Sequence, residues 1–147
     1  MVTIAKNQYA IAEAVHIKLG QAKVEAIARI NTSIGEIRKN FITDIPAQEM
    51  IYQAKENEAK AYLADDDPLP EDYPLIHAEI GITADDAYQL SQLWLNMSQI
   101  LRETAAHLEN IRLGAIAAIE QAQSQQDIAE IMNTFNAASL AVSTSNQ

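Results

Sequence analysis

The chain has 147 residues, no cysteine and a formal net charge of −10, a length sufficient for one domain with its own core. That charge disfavours a phosphate backbone as partner, because nucleic-acid affinity depends on Lys and Arg neutralising phosphates, and the missing thiols exclude disulfides, thiolate zinc sites and cysteine nucleophiles. Hydrophobic residues make up 48% of the chain but aromatics only 5%, with four Gly and four Pro, so the apolar content is the Ala, Ile and Leu of helix seams, not a turn-rich β fold.

The opening stretch, MVTIAKNQYAIAEAVHIKLG, has Lys6 and Glu13 among its apolar residues. Neither a signal-peptide core nor the roughly 18 apolar residues of a membrane span is expected there. The absence of cysteine is compatible with assembly in a reducing cytoplasm. Charge divides the chain unevenly: residues 1–46 carry six basic and four acidic side chains, residues 47–87 two and eleven, and residues 88–147 two and five. The middle segment is chemically distinct from both flanks.

Val15, Leu19, Ala22, Ala26, Ile30, Ile34, Ile37 and Phe41 recur at spacings of three and four, which predicts one long N-terminal helix with a single apolar stripe. The mean spacing is nearer 3.7 than 3.5, suiting a straight bundle better than a left-handed heptad coil. Gly20 and Gly35 are weak points where that helix can break. Asp44 with Pro46 is a start signal for a second, short helix, with Glu49 near its positive end and the pattern continuing to Leu63. Ile51, Ala54, Ala59 and Tyr62 share one face, and Glu56 with Lys60 forms an i, i+4 pair on another. The run DDDPLPEDYP ends this helix, because its prolines remove backbone donors and disfavour helical conformation before them. Pro74 opens a short turn to Ile80, closed by Gly81 in the left-handed region.

Thr83 and Asp86 stand at capping-box spacing before a proline-free run to Gln123. Its stripe is Leu90, Leu93, Met97, Ile100, Thr104, His107 or Leu108, Ile111, Ala115 and Ala118, widened by Trp94, Leu101 and Ile119. A helix near 40 residues would span about 60 Å, which calls for a partner helix from this chain or another copy. Ser124 and Asp127 repeat the box and start a last helix with Ile128, Ile131, Met132, Phe135 and Leu140 inward; the STSNQ tail is polar.

Three constellations invite chemistry. Glu13 and His16 form one Glu-x-x-His, half of a ferritin-like di-iron motif, but the second half and two further glutamates are missing. Glu103 with His107 has the wrong spacing, and His77 has only Glu79 near it in sequence. Asp65, Asp66, Asp67, Glu71 and Asp72 suggest calcium, yet consecutive aspartates and two prolines lack the alternation, glycine turn and terminal glutamate of an EF-hand; a solvated acidic joint is the simpler reading. No glycine-rich phosphate loop or nucleophile elbow occurs. Trp94 and Tyr88 can anchor a ligand, but amid Leu93, Leu95 and Met97 they are expected in the core. No catalytic, cofactor-binding or metal residue is therefore assigned.

The block FITDIPAQEMIYQAKENEAKAYLADDDPLPEDYPLIHAEIGIT, followed downstream by RLGAIAAIEQA, resembles a segment of small tail, tail-fibre or tail-fibre-assembly proteins of double-stranded DNA bacteriophages. The likeness covers residues 41–122, leaves residues 1–40 unmatched, and lies in structural rather than catalytic motifs. It implies a non-enzymatic virion component, assembled in the host cytoplasm and located in the tail, with any host attachment belonging to the particle. The implied partners are other copies, a trimer by analogy with fibre-like assemblies, and neighbouring tail or fibre proteins; neither nucleic acid nor a membrane span is expected, and no cofactor.

The expected architecture is all-α: an elongated helical hairpin or bundle with one helix near 40 residues, assembling with other copies. Residues 1–42 form the N-terminal helix for oligomerisation or attachment, 43–82 the short helix, acidic elbow and turn, and 83–147 the long and C-terminal helices. The positions expected to meet a partner are Ile30, Ile34, Ile37, Phe41, Leu90, Leu93, Trp94, Met97, Ile100 and Ile111. The alternatives are a tail-fibre assembly chaperone or adaptor absent from the mature particle and, more remotely, a di-metal helical-bundle enzyme resting on Glu13 and His16.

Overall fold

The structure, a computed structural model, describes the backbone of residues 2–42 and 45–144 and the side chains of residues 6–42 and 45–144. Among these residues the chain is all-α. Five helices, α1 (Val2–Lys39), α2 (Gln48–Ala64), α3 (Pro74–Glu79), α4 (Ala87–Gln121) and α5 (Gln125–Thr144), are joined by short connections that include a 3₁₀ turn at Pro70–Asp72. The helices pack into two units, residues 1–40 with 106–147 and residues 41–105, so α4 contributes to both. This grouping cuts across the three consecutive sequence segments, because the far half of α4 returns to pack with α1.

In the first unit α1 and the C-terminal half of α4 run antiparallel. Lys23 Nζ donates to the Glu120 carbonyl at 2.8 Å, Arg112 to Asn31 at 3.0 Å, and Arg38 to Glu109 at 2.7 Å. Ala26, Ile30 and Ile34 are buried from α1, with Leu108 and Ile119 from α4 and Ile128, Met132, Phe135 and Val142 from α5. The α1 stripe is thus covered over its second half only: Ala26, Ile30 and Ile34 are buried, Ile37 and Phe41 half-buried, and Val15 exposed. Neither Gly20 nor Gly35 interrupts α1; the cost of about 1 kcal/mol for a helical glycine is absorbed by the surrounding hydrogen-bonded turns.

Two cap predictions have different outcomes. Ser124 and Asp127 form a reciprocal box: the Asp127 amide donates to Ser124 Oγ at 3.0 Å, and the Gln123 and Ser124 amides donate to Asp127 Oδ2 at 2.8 and 3.0 Å. In α5, Ile131 is half-buried and Leu140 is exposed; Ser139 and Val142 face inward instead. The earlier box lies three residues further on than expected. Asp86 is itself the cap, accepting the Gln89 amide at 2.8 Å, while Thr83 Oγ1 donates to Glu79 at 2.9 Å. The start signal at Asp44 falls outside the described residues. Pro46 precedes α2, whose N-cap is Ala47 at φ 66°, an uncommon left-handed conformation for alanine.

The second unit has Ala59, Ile76, Ala87, Leu90 and Trp94 as its core, with Tyr62, Tyr73 and Leu75 against it. Tyr62 and Tyr73 meet edge to face with ring centres 5.4 Å apart. Pro74 opens α3, and Gly81 sits at φ 79° after it, as the turn reading anticipates. The α3 amides of Leu75 and Ile76 donate to Glu58 of α2 at 2.9 and 3.1 Å, so an acidic side chain from another helix serves as the cap. Replacing Ser124 by Ala should lower stability by about 1 kcal/mol, and the Ser124→Ala, Asp127→Ala pair should cost less than the sum of the two singles, since both serve one box. Urea unfolding of the four proteins checks this.

Candidate interaction faces

Glu56 is the most enclosed charged group described, 6% exposed. Its carboxylate accepts from Lys60 on its own helix at 2.5 Å and from Ser98 and Arg102 on α4. The hydrogen bonds from Lys60, Ser98 and Arg102 outweigh the cost of burial and hold its pKa down to about 2. The expected i, i+4 pair forms, with Glu56 enclosed at the α2–α4 contact and Lys60 left exposed. Beside it, Lys55 is paired with Glu79, and its ammonium stands 5.1 Å from the Trp94 ring centre. No buried side-chain nitrogen or oxygen among the described residues lacks a partner.

The acidic elbow is likewise organised by its own backbone. Asp65 accepts the Asp67 amide at 3.1 Å and the Tyr73 hydroxyl at 2.8 Å; these bonds lower its pKa and raise that of Tyr73. Asp66, Asp67, Glu71 and Asp72 are exposed. Glu13, His16, Glu103, His107 and His77 are exposed as well, and among the described residues no three His, Asp or Glu side chains converge as a metal-holding group. A shallow open depression between the elbow and the start of α4, lined by Tyr62, Pro70, Ile80, Asp86 and Tyr88, offers little enclosure. No described helix is long and apolar enough to cross a membrane.

The ten partner-facing candidates separate into three sets. Ile30, Ile34 and Leu90 are wholly buried and Trp94 nearly so; their own chain already covers them, and they are core residues rather than contacts for a second molecule. Ile37, Phe41 and Ile111 are half-buried. Leu93, Met97 and Ile100 remain exposed, with Met97 and Ile100 at 57%. In this half of α4 the inward residues are Leu90, Ser91, Trp94 and Ser98, a face displaced by about 100° from the predicted stripe, one residue of helix. Ser91 hides its hydroxyl by donating to the Ala87 carbonyl at 2.7 Å.

A second outward surface lies on the N-terminal helix expected to serve oligomerisation or attachment, in a stretch that the ten candidates do not include. Every described side chain from Lys6 to Lys18 is exposed, including Tyr9, Ile11, Val15 and Ile17. The predicted stripe already included Leu19 and Val15, and Ile11 continues it by one more step of four. Charge separates the two surfaces. Residues 41–105 carry three basic and thirteen acidic side chains, a net −10, while residues 1–40 with 106–147 carry seven of each.

Comparison with protein-family models, curated proteins and solved structures finds no match to this chain. Among the described residues, the geometry leaves buried polar groups satisfied internally and apolar groups outward on two helices.

Glu56→Gln should lower stability by about 2 kcal/mol at pH 7, the scale of hydrogen bonds to a charged group. Because the folded pKa of Glu56 is depressed, its contribution is complete above the ordinary glutamate value of 4.5 and is lost as pH falls toward about 2. The gap between wild type and Glu56→Gln should close over that window. Glu109, held near 2 by Arg112 and Arg38, titrates there in both proteins, so the difference between them is the quantity to follow in denaturant titrations.

Proposed function

We propose that the chain is a non-enzymatic structural component of a bacteriophage tail or tail-fibre apparatus, packing through apolar helix faces onto copies of itself and neighbouring tail or fibre proteins. The observation that carries the assembly reading is the uncovered run from Lys6 to Lys18 in α1. An isolated helical end of this length is marginal in water. Covering Tyr9, Ile11, Val15 and Ile17 would return about 25 cal/mol for each Å² removed from solvent, which favours a partner. The tail assignment is supported by the likeness of residues 41–122 to small phage tail proteins, with Glu56, Glu58 and Asp65 of that block holding helices and elbow together. Host attachment then belongs to the assembled particle.

A second reading, an assembly chaperone or adaptor absent from the finished particle, is favoured by the concentration of the whole net charge in residues 41–105, which keeps a protein with exposed apolar faces in solution. Quantitative mass spectrometry of purified mature particles separates the two. The structural reading expects the chain at a fixed ratio to other tail proteins; recovery only from infected-cell lysate, bound to a tail protein, supports the chaperone. Absence from both overturns the tail assignment.

A further inference from the structure

We propose that copies of this chain join head to tail, the uncovered half of α1 in one copy lying along the outward stripe of α4 in the next. The inference rests on the assembly reading above and specifies which surfaces meet. On α1, Ile11, Val15 and Leu19 form a ridge at i, i+4, i+8, a geometry that packs against another helix; Ile11 and Val15 are exposed and Leu19 half-buried. On α4, Leu93, Met97 and Ile100 form a second exposed ridge. Each ridge is about 10–12 Å long at 1.5 Å per residue, so the two are matched in length and in number of apolar side chains.

Charge selects the pairing. The α1 segment from Lys6 to Lys18 carries Lys6 and Lys18 against Glu13 alone, and Lys18 follows Val15 by three residues beside the ridge. The α4 ridge belongs to the unit that holds the net −10, with exposed Glu103 three residues beyond Ile100. Pairing α1 with α1 would set two net-positive segments against each other, and pairing α4 with α4 would oppose two strongly acidic units. Only the mixed pairing places basic beside acidic while covering both ridges. Because the two patches differ, each copy keeps one of each free after the first contact, so the contact propagates into a ring or an open filament.

Sedimentation equilibrium of the full chain over a concentration series tests this. The average mass should rise with concentration and fall back in high salt, which screens exposed charges. Val15→Glu and Met97→Glu, both at exposed positions, should each remain monomeric with helical circular dichroism intact. An equimolar mixture should form a one-to-one dimer and nothing larger, because each variant retains the patch the other lost. Ile11→Glu mixed with Ile100→Glu repeats the test should either first variant misfold. Association of Met97→Glu like wild type would mean that α1 pairs with itself, and association of Val15→Glu like wild type that α4 does; either result overturns the proposal, as does a mixture that stays monomeric. A wild-type chain monomeric throughout also overturns it, leaving the tail reading to be decided by the composition of the particle.

Discussion

The carboxylate of Glu56 decides which way α4 faces in the second unit. Leu90 and Trp94 lie at the centre of two overlapping candidate faces. One is flanked by Leu93, Met97 and Ile100, the other by Ser91, Ser98 and Arg102. Hydrophobicity favours the first. A glutamate enclosed at the α2–α4 contact favours the second, because only Ser98 and Arg102 supply donors from α4 that reach it, and an enclosed charge without partners is far more costly than a few exposed methyl groups. Once Ser98 and Arg102 are turned toward α2, the Leu93–Met97–Ile100 ridge has to face outward. A buried ion cluster of this kind adds little net stability relative to a well-packed apolar substitute; here its effect is to select one helix orientation over a competing one.

The rest of the acidic segment follows the same logic at smaller scale. Glu58 caps α3, Asp65 ties the elbow to Tyr73, and Glu79 pairs with Lys55 over the Trp94 contact. Glu56, Glu58, Asp65 and Glu79 are thus occupied by a backbone amide, a hydroxyl or a cation of the same unit, while Asp66, Asp67, Glu71 and Asp72 face solvent. The second unit thus combines a net negative charge with an exposed apolar ridge, while the neutral unit has an exposed helical stretch that carries Lys6 and Lys18.

Much of the architecture was legible in the sequence because it depends on local signals. The C-terminal box at Ser124 and Asp127, the proline-opened turn at Pro74 and the left-handed Gly81 each need only neighbours a few residues away. The all-α class follows from spacing. What was not legible depends on contacts distant in sequence. Glu56 and Arg102 stand 46 residues apart, and nothing local marks Glu56 as enclosed, so the α4 stripe was drawn through its most apolar residues and placed one position off in its first half. The α1 stripe was read correctly as a pattern, but periodicity does not say where the covering helices end. Ile30 and Ile34 therefore proved to be core, and the exposed part of the same seam lies nearer the N-terminus, at Ile11 and Val15. Asp86 displaced Thr83 as the α4 cap because Thr83 bonds to Glu79, a choice made by the preceding turn.

The orientation of α4 is open to direct measurement, since the chain has no cysteine of its own and single thiols can be introduced without background. At concentrations low enough to exclude association, the labelling rates of Met97→Cys and Ser91→Cys report the two sides of the helix. An outward ridge predicts that Met97→Cys reacts about tenfold or more faster than Ser91→Cys, which would require local opening to be modified, and that this ratio narrows when Glu56→Leu removes the carboxylate. Equal rates in the otherwise native chain, or a ratio untouched by Glu56→Leu, would contradict the central role assigned to Glu56.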